Sequence, residues 1–259
     1  ILSDSEYQNI VVSFHKGLLS KEKYIDTLIY VSNLTFQGKI NLFSNSFYEK
    51  LCFQSLKLLG ENSRQHLQSI HDLARINYND NYKAFQINKI VLNQRKKYLP
   101  KYDLDIAKSY NNISMYYRGI NDNEAQLKFL KSAEKILNKN NSNFSSLHMV
   151  VYRNLMNFYL KVKDAESLKK IGEDLSKNTN YNNVNATETY INLAYNLGQF
   201  GNRELDEKSE FYQSKVIKLA QFNKYPPSNI AAMRGNFYLA QMHQGMNKKS
   251  LSKQLQLKK

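Results

Sequence analysis

The sequence predicts an all-α protein, a right-handed superhelical solenoid of antiparallel helix pairs. One phrase, an asparagine followed by a large apolar residue, occurs in residues 110–117 and again 42 residues later in 152–159. Weaker copies follow at 190–194 and 234–238. A period near 40 residues is typical of stacked helical units, each of which buries its apolar face against its neighbours. Only 9 Gly and 3 Pro occur in 259 residues, too few for a turn-rich β protein.

The first three helices are expected over residues 6–19, from 20 to about 36, and over 46–59. The first carries Tyr7, Ile10 and Phe14 at helical spacing. Ser20 is a good N-cap for the second. Gly60 ends the third, and Ser63 can cap the next helix.

Regular helix pairs follow from residue 64. The expected pairs are 64–77 with 82–99, 105–118 with 123–137, 145–161 with 165–176, and 187–197 with 204–222. Pro100 stops one helix and Gly198 another, and a Pro pair at 226–227 separates a last helix, 229–243. We expect one domain with divergent helices over 1–62, four repeats over 63–222, and a capping helix with a basic tail over 223–259.

Composition limits the function classes. A net charge of +15 invites binding to nucleic acid or an anionic surface, but asparagine- and lysine-rich composition explains much of it by drift. The lone Cys52 excludes an internal disulfide and a cysteine-based metal site, and we expect it to act as a small hydrophobic residue. No stretch of about 18 apolar residues is present to span a membrane. The chain begins at Ile1, so we interpret it as a fragment or processed form, and expect it in the cytoplasm.

Residues 107–137 resemble a tetratricopeptide (TPR) repeat. Tyr110, Ile113, Ser114 and Tyr117 fit its first helix, and Leu130 and Ala133 fit its second. The 42-residue spacing and the phrase Asn111-Asn112-Ile113 are similar to the subgroup found in kinesin light chains and in bacterial repeat proteins joined to CHAT-type proteases. The resemblance extends over about 64–175. It departs at Gly172 and Leu175, and the pair ending at 222 is several residues too long.

This resemblance implies a concave groove lined by the first helix of each pair. The residue before the apolar Leu or Ile points into it, and these residues are Asn112, Asn154, Asn192 and Asn236, with Asp72 and Asn33 as upstream candidates. A row of amides can bind the backbone of an extended peptide without selecting its side chains. Neighbouring groove positions are Lys108, Arg118, Arg153, Asn157 and Lys161, opposed mainly by Glu188. A basic groove favours an acidic peptide, although asparagine is common here and a solvated charged face is the simpler interpretation.

Three functional hypotheses follow. The first is a non-catalytic interaction scaffold that holds an extended peptide or a partner helix. The second is a regulatory sensor that controls an attached or associated effector, such as a CHAT-type protease or a DNA-binding regulator. The third is nucleic-acid binding, against which the tyrosines count because most occupy packing positions. Catalytic motifs are absent, the histidines do not form a metal triad, and neither enzymatic activity nor a cofactor is expected.

Overall fold

The computed structural model describes residues 4–36, 45–76, 81–140, 144–177, 184–200 and 203–222. Eleven helices and no strand occur within these ranges. They are α1 (Asp4–His15), α2 (Lys21–Phe36), α3 (Asn45–Leu59), α4 (Arg64–Ile76), α5 (Asn81–Tyr98), α6 (Leu104–Gly119), α7 (Asn123–Lys139), α8 (Ser146–Lys161), α9 (Ala165–Lys177), α10 (Val184–Gly198) and α11 (Arg203–Phe222). The all-α prediction is confirmed.

Local sequence sets the helix ends close to where it predicts them. Ser20 and Ser63 accept backbone N–H bonds from Lys23 and His66, both at 3.2 Å, and so cap α2 and α4. Gly60 follows α3 with a φ of +85°, the left-handed conformation that terminates many helices. The prediction was wrong for the end of α1, which lies at His15 rather than Leu19, and for the start of α10, which lies at Val184 rather than Thr187. The predicted helix over 229–243 lies outside the described residues.

The 42-residue repeat is visible in two turns. Asn121 and Lys163 both have a φ of 58°, between α6 and α7 and between α8 and α9 respectively. The next residue in each turn is an aspartate that accepts a backbone N–H bond and so caps the following helix: Asp122 from Ala125 at 2.9 Å, and Asp164 from Ser167 at 3.0 Å. The same backbone conformation and the same aspartate N-cap therefore recur 42 residues apart.

The chain forms two compact units, residues 1–140 and 141–259. In the first unit α3 to α7 pack in sequence order, and α6 packs most extensively against α7. Its N-terminal core is built around Tyr24, Leu28, Tyr48 and Leu51, each at most 1% exposed. In the second unit α10 packs against α8, α9 and α11. The single array over 1–259 remains a prediction.

Gly172 on α9 explains one departure from the repeat pattern. A Cβ atom placed there would lie 2.2 Å from the Tyr212 hydroxyl and 2.8 Å from Leu193 Cδ2. Tyr212 on α11 occupies the space that a bulky residue would otherwise fill, and its ring stacks on Tyr190 at a centroid distance of 5.7 Å. The packing of the longer helix α11 thus requires a glycine at this position.

Candidate functional site

Asn112 lies half-buried on α6, and one end of its amide contacts α4. Its side-chain nitrogen is placed 3.2 Å from His71 Nε2, while His71 Nδ1 lies 3.4 Å from Arg95 Nη1. Burial, together with the Arg95, Arg75 and Lys108 cations, holds the pKa of His71 well below its usual value, so the imidazole is neutral. A guanidinium only donates, so Nδ1 accepts and Nε2 carries the hydrogen. The Asn112 carbonyl oxygen is then the end that faces His71, and its NH₂ group is directed away from the imidazole.

Arg95 on α5 is the centre of a buried polar network. Its side chain is fully buried; Nη1 donates to the Asp105 backbone oxygen and to Ser109 Oγ, both at 2.9 Å. Nη2 donates to Gln68 Oε1 at 3.0 Å. The other end of Gln68 donates to Asp72 Oδ1 at 2.8 Å. An amide therefore joins a buried cation to a buried carboxylate, which reduces the cost of burying both.

Asp72 does not line a free groove wall. It is fully buried on α4 and also accepts a 3.0 Å hydrogen bond from Ser32 Oγ on α2. Asp72 and Asn112, which occupy equivalent positions of successive pairs, each contact the preceding first helix. In the first unit these polar residues tie neighbouring helices together.

A cavity of about 200 Å³ opens beside Asn112, between α4, α5 and α6. Its lining combines apolar and polar side chains: Ala74, Arg75, Asn81, Ala84, Phe85, Asn88, Asn112, Met115 and Tyr116. Phe85 and Tyr116 stack with a centroid distance of 4.0 Å and form an aromatic wall. Arg75 is exposed at the rim.

Asn88 contributes a buried amide to the lining of this cavity. It is only 5% exposed, and its Nδ2 donates to the Ala84 backbone oxygen at 2.8 Å. The amide also interacts with the His71 imidazole, but its Oδ1 makes no hydrogen bond of normal geometry with any described residue. A buried carbonyl oxygen without a partner is costly unless a ligand or water satisfies it.

The predicted groove residues of the second unit differ from Asn112. Asn154 is 8% exposed, and Asn192 donates to the Glu188 backbone oxygen of its own helix at 2.9 Å. Arg153, Asn157 and Lys161 form an exposed stripe along α8. Asn236 lies outside the described residues. The alignment of four amides along one wall remains a prediction.

The predicted cations of the first unit are placed in different surroundings. Lys108 Nζ lies 2.7 Å from Asp105 Oδ1, and Arg64 Nη1 lies 2.7 Å from Asp105 Oδ2. Although burial favours the neutral acid, Lys108, Arg95 and Arg64 hold the pKa of Asp105 below its usual value. Arg118 is exposed at the end of α6. Lys108 is therefore committed to an ion pair.

Sequence reasoning missed Arg75, Asn88 and Arg95. A usable signal existed for the two α5 residues: Phe85, Asn88, Leu92 and Arg95 recur at three- and four-residue spacing, and all are buried. Two polar residues on the buried face of a helix indicate a buried network or a site.

Cys52 and His148 occupy structural positions. Burial raises the pKa of Cys52 to about 11, which makes the thiolate scarce at neutral pH. His148 is buried, and its Nδ1 accepts from the Ser145 backbone N–H at 3.1 Å, a structural role at the start of α8. Within the described ranges, no three His, Cys, Asp or Glu side chains are grouped to hold a metal ion. Nor is any helix there long and apolar enough to cross a membrane.

Tyrosine exposure is more varied than the sequence suggests. Tyr24, Tyr48 and Tyr190 are buried as packing residues, but Tyr82 is 60% and Tyr98 41% exposed. Both exposed rings belong to α5, and the following loop exposes Tyr102 at 36%. Most tyrosines whose side chains are described are buried or half-buried, as expected, and exposed ones also occur elsewhere, with Tyr30 at 61% and Tyr195 at 51%.

The fold is similar to solved TPR-like structures. Two of them, crystal structures of the nearly identical TPR-like repeats of a Podosopora anserina putative kinesin light chain, one of them a single-residue variant, match with TM-scores of 0.57 and 0.56. Each shares 13% sequence identity and covers 78% of this chain and 97% of its own. No protein-family model and no curated protein matches the sequence. The chain has a TPR-like repeat fold; the CHAT-associated subgroup remains a prediction.

Proposed function

We propose that this chain is a non-catalytic protein-interaction scaffold that binds an extended peptide along its first helices. TPR-like folds generally present such surfaces rather than catalytic ones. The observation that supports a ligand here is the cavity beside Asn112, where the Asn88 carbonyl oxygen is buried and unsatisfied among the described residues.

The cavity chemistry suggests which side chain the peptide inserts. Phe85, Met115 and Tyr116 offer apolar contact, so the inserted group is mainly apolar. Asn88 Oδ1 needs a donor, so the group carries an N–H or O–H at its tip, as tyrosine and tryptophan do. A side chain with both properties would satisfy the buried carbonyl without leaving the aromatic wall exposed.

The rim suggests the charge of the neighbouring peptide residue. Arg75 lies beside the cavity, and a guanidinium favours a carboxylate through charge-assisted hydrogen bonds. The Asn112 NH₂ group, directed away from His71, is available to a peptide carbonyl. We therefore propose an aromatic residue flanked by an acidic one as the preferred ligand.

A displayed random-peptide library tests this proposal. The full chain is used for selection, and recovered peptides are re-tested by fluorescence anisotropy against Ala84→Leu, which fills the cavity, and Arg75→Gln, which removes the rim charge. We expect Ala84→Leu to weaken binding at least tenfold and Arg75→Gln to weaken acidic peptides selectively. Ala125→Leu, a matched enlargement on α7 outside the cavity, should bind as the parent does.

Folding is checked for each variant by far-UV circular dichroism, because a misfolded variant would lose binding trivially. Peptides that bind a well-folded Ala84→Leu as tightly as the parent would exclude the cavity as the site. A library that yields no binder would refute the scaffold proposal for this groove. A cytoplasmic location and control of an attached effector are further proposals that rest on the resemblance.

A further inference from the structure

Helix α5 and the loop after it carry an acid-free basic surface. Residues 81–102 contain no Asp or Glu and six basic residues, of which only Arg95 is buried. The other five are exposed: Lys83, Lys89, Lys96, Lys97 and Lys101. We call these lysines, with the exposed tyrosines among them, the α5 surface.

Helix geometry places most of these groups on one side. At about 100° per residue, Tyr82, Lys89, Lys96 and Lys97 fall within about 100° of one another. The exposed Ile90 and Asn93 lie on the same side. Tyr82 and Lys97 are 15 positions apart, or about 22 Å along the helix axis. Tyr98 lies about 100° further round the helix than Lys97, so the surface turns around α5 at its C-terminal end.

Exposed aromatic rings alternate with the lysines. Lys97 Nζ lies 4.9 Å from the centre of the Tyr98 ring, and Lys101 Nζ lies 5.6 Å from that of Tyr102. Gln86 Nε2 donates to the Tyr82 hydroxyl at 2.6 Å, which steadies that ring at the surface. Each ring therefore has a polar or cationic neighbour, and each tyrosine is at least 36% exposed.

Nearby carboxylates leave this surface basic. Asp103 and Asp105 are engaged by Arg64, and Asp105 also by Lys108. Glu61 is the described acid that acts on Lys97, from the loop between α3 and α4. One carboxylate cannot neutralise Lys89, Lys96, Lys97 and Lys101 together.

We propose that the α5 surface binds single-stranded nucleic acid without sequence preference, with phosphates on the lysines and bases stacked on Tyr82, Tyr98 and Tyr102. Lysines alone would attract any polyanion, but accessible rings between them suit unstacked bases. Duplex DNA does not offer base faces, and an anionic membrane would favour more exposed aliphatic residues than Ile90. The span fits the lower end of known single-strand sites, about 4–16 nucleotides. Tyr82 neighbours Phe85 and Tyr116 of the cavity, at centroid distances of 6.3 and 6.4 Å, whereas Tyr98 and Tyr102 are not among the residues that line it.

Fluorescence anisotropy of the full chain with labelled oligo-dT and oligo-dA, over a range of salt concentrations, tests the proposal. We expect affinity to fall steeply with salt and to be similar for both oligomers. The triple variant Lys89→Gln/Lys96→Gln/Lys97→Gln should lower the slope of log K against log salt by about 2, since each single-strand phosphate contact contributes about 0.7. Tyr82→Leu and Tyr98→Leu should each weaken binding about tenfold with the slope unchanged.

A matched triple variant on α7 provides the control. Lys128→Gln/Lys135→Gln/Lys139→Gln removes the same charge from exposed positions of a neighbouring helix and should change affinity much less. Equal losses for the two triple variants would show attraction by net charge and overturn the site. Unchanged affinity in the tyrosine variants, or equally effective competition by poly-glutamate or phosphatidylserine vesicles, would overturn nucleic acid as the ligand.

Discussion

Gly172 offers the sharpest test of the packing in the second unit. In an exposed helix interior, Gly→Ala stabilises by about 1 kcal/mol, because alanine restricts the unfolded chain and favours the helix. At Gly172 we expect the opposite sign. The added methyl carbon would lie 2.2 Å from the Tyr212 hydroxyl and 2.5 Å from Tyr212 Cζ, where carbon contacts normally lie at about 3.5–4.0 Å.

The magnitude depends on how far Tyr212 can move. Its ring would have to shift by about 1 Å, yet it is 5% exposed and stacked on Tyr190, which is 1% exposed. Leu193 Cδ2, at 2.8 Å from the new methyl, blocks a second direction. Overpacking of this kind costs about 1–3 kcal/mol. After the helix-propensity gain of about 1 kcal/mol, Gly172→Ala should lower the free energy of unfolding by up to about 2 kcal/mol.

Urea unfolding followed by far-UV circular dichroism measures this difference. Gly119→Ala is the matched control, because it lies at the end of α6 with no atom within 4 Å of the new methyl, and it should be neutral or slightly stabilising. Adding Tyr212→Phe to Gly172→Ala removes the atom at 2.2 Å and should recover part of the loss. A Gly172→Ala midpoint equal to or above that of the parent would refute this account of the α9–α11 packing.

Four further predictions concern single positions. In the unfolded chain His71 is protonated below about pH 6.5, whereas burial keeps it neutral in the folded chain. The free energy of unfolding should therefore fall between pH 6.5 and 5.5, by up to about 1.4 kcal/mol per pH unit. His71→Gln should flatten this slope, and equal slopes in variant and parent would exclude His71 as its source. Arg95→Ala should lower the free energy of unfolding in urea by about 3–5 kcal/mol, because it leaves buried acceptors without a donor. Arg95→Met should lower it less. No decrease in either variant would mean that the network does not stabilise the fold. Ala133→Leu enlarges a fully buried side chain on α7 and should destabilise the fold by about 1–3 kcal/mol in thermal melting. Ala125→Leu, at a partly exposed position, should not. Equal melting temperatures of the two variants would contradict the burial of Ala133. Lys163→Asn should raise stability by up to about 1 kcal/mol, because asparagine tolerates a φ of 58° better than lysine, and a lower unfolding midpoint would count against that turn.

Much of the helical framework could be predicted from the sequence because its signals are local. Ser20, Ser63 and Gly60 mark helix ends through their own backbone contacts. Most predicted ends lie within a residue or two of the observed ones. There are two exceptions: the prediction placed the start of α10 three residues after Val184, and the end of α1 four residues after His15.

The candidate site was predicted only in part. Asn112 was correctly singled out and lines the cavity, but its contact with His71 could not be read from a sequence in which the two residues are 41 positions apart. Asn88 and Arg95 were overlooked because polar residues in a lysine-rich helix are usually solvated. Only packing of α5 between α4 and α6 shows that these two are buried.

The sequence by itself determined the all-α fold, the order of the helices and the 42-residue recurrence of one turn and its aspartate cap, because each depends on interactions within a few residues. The tertiary structure decided which polar groups are buried and which tyrosines remain exposed. It also decided that residue 172 must be glycine, because Tyr212 of α11 fills the space that a side chain at this position would occupy. Burial depends on which helices pack together, and local sequence patterns do not specify the packing of helices that are far apart in the chain.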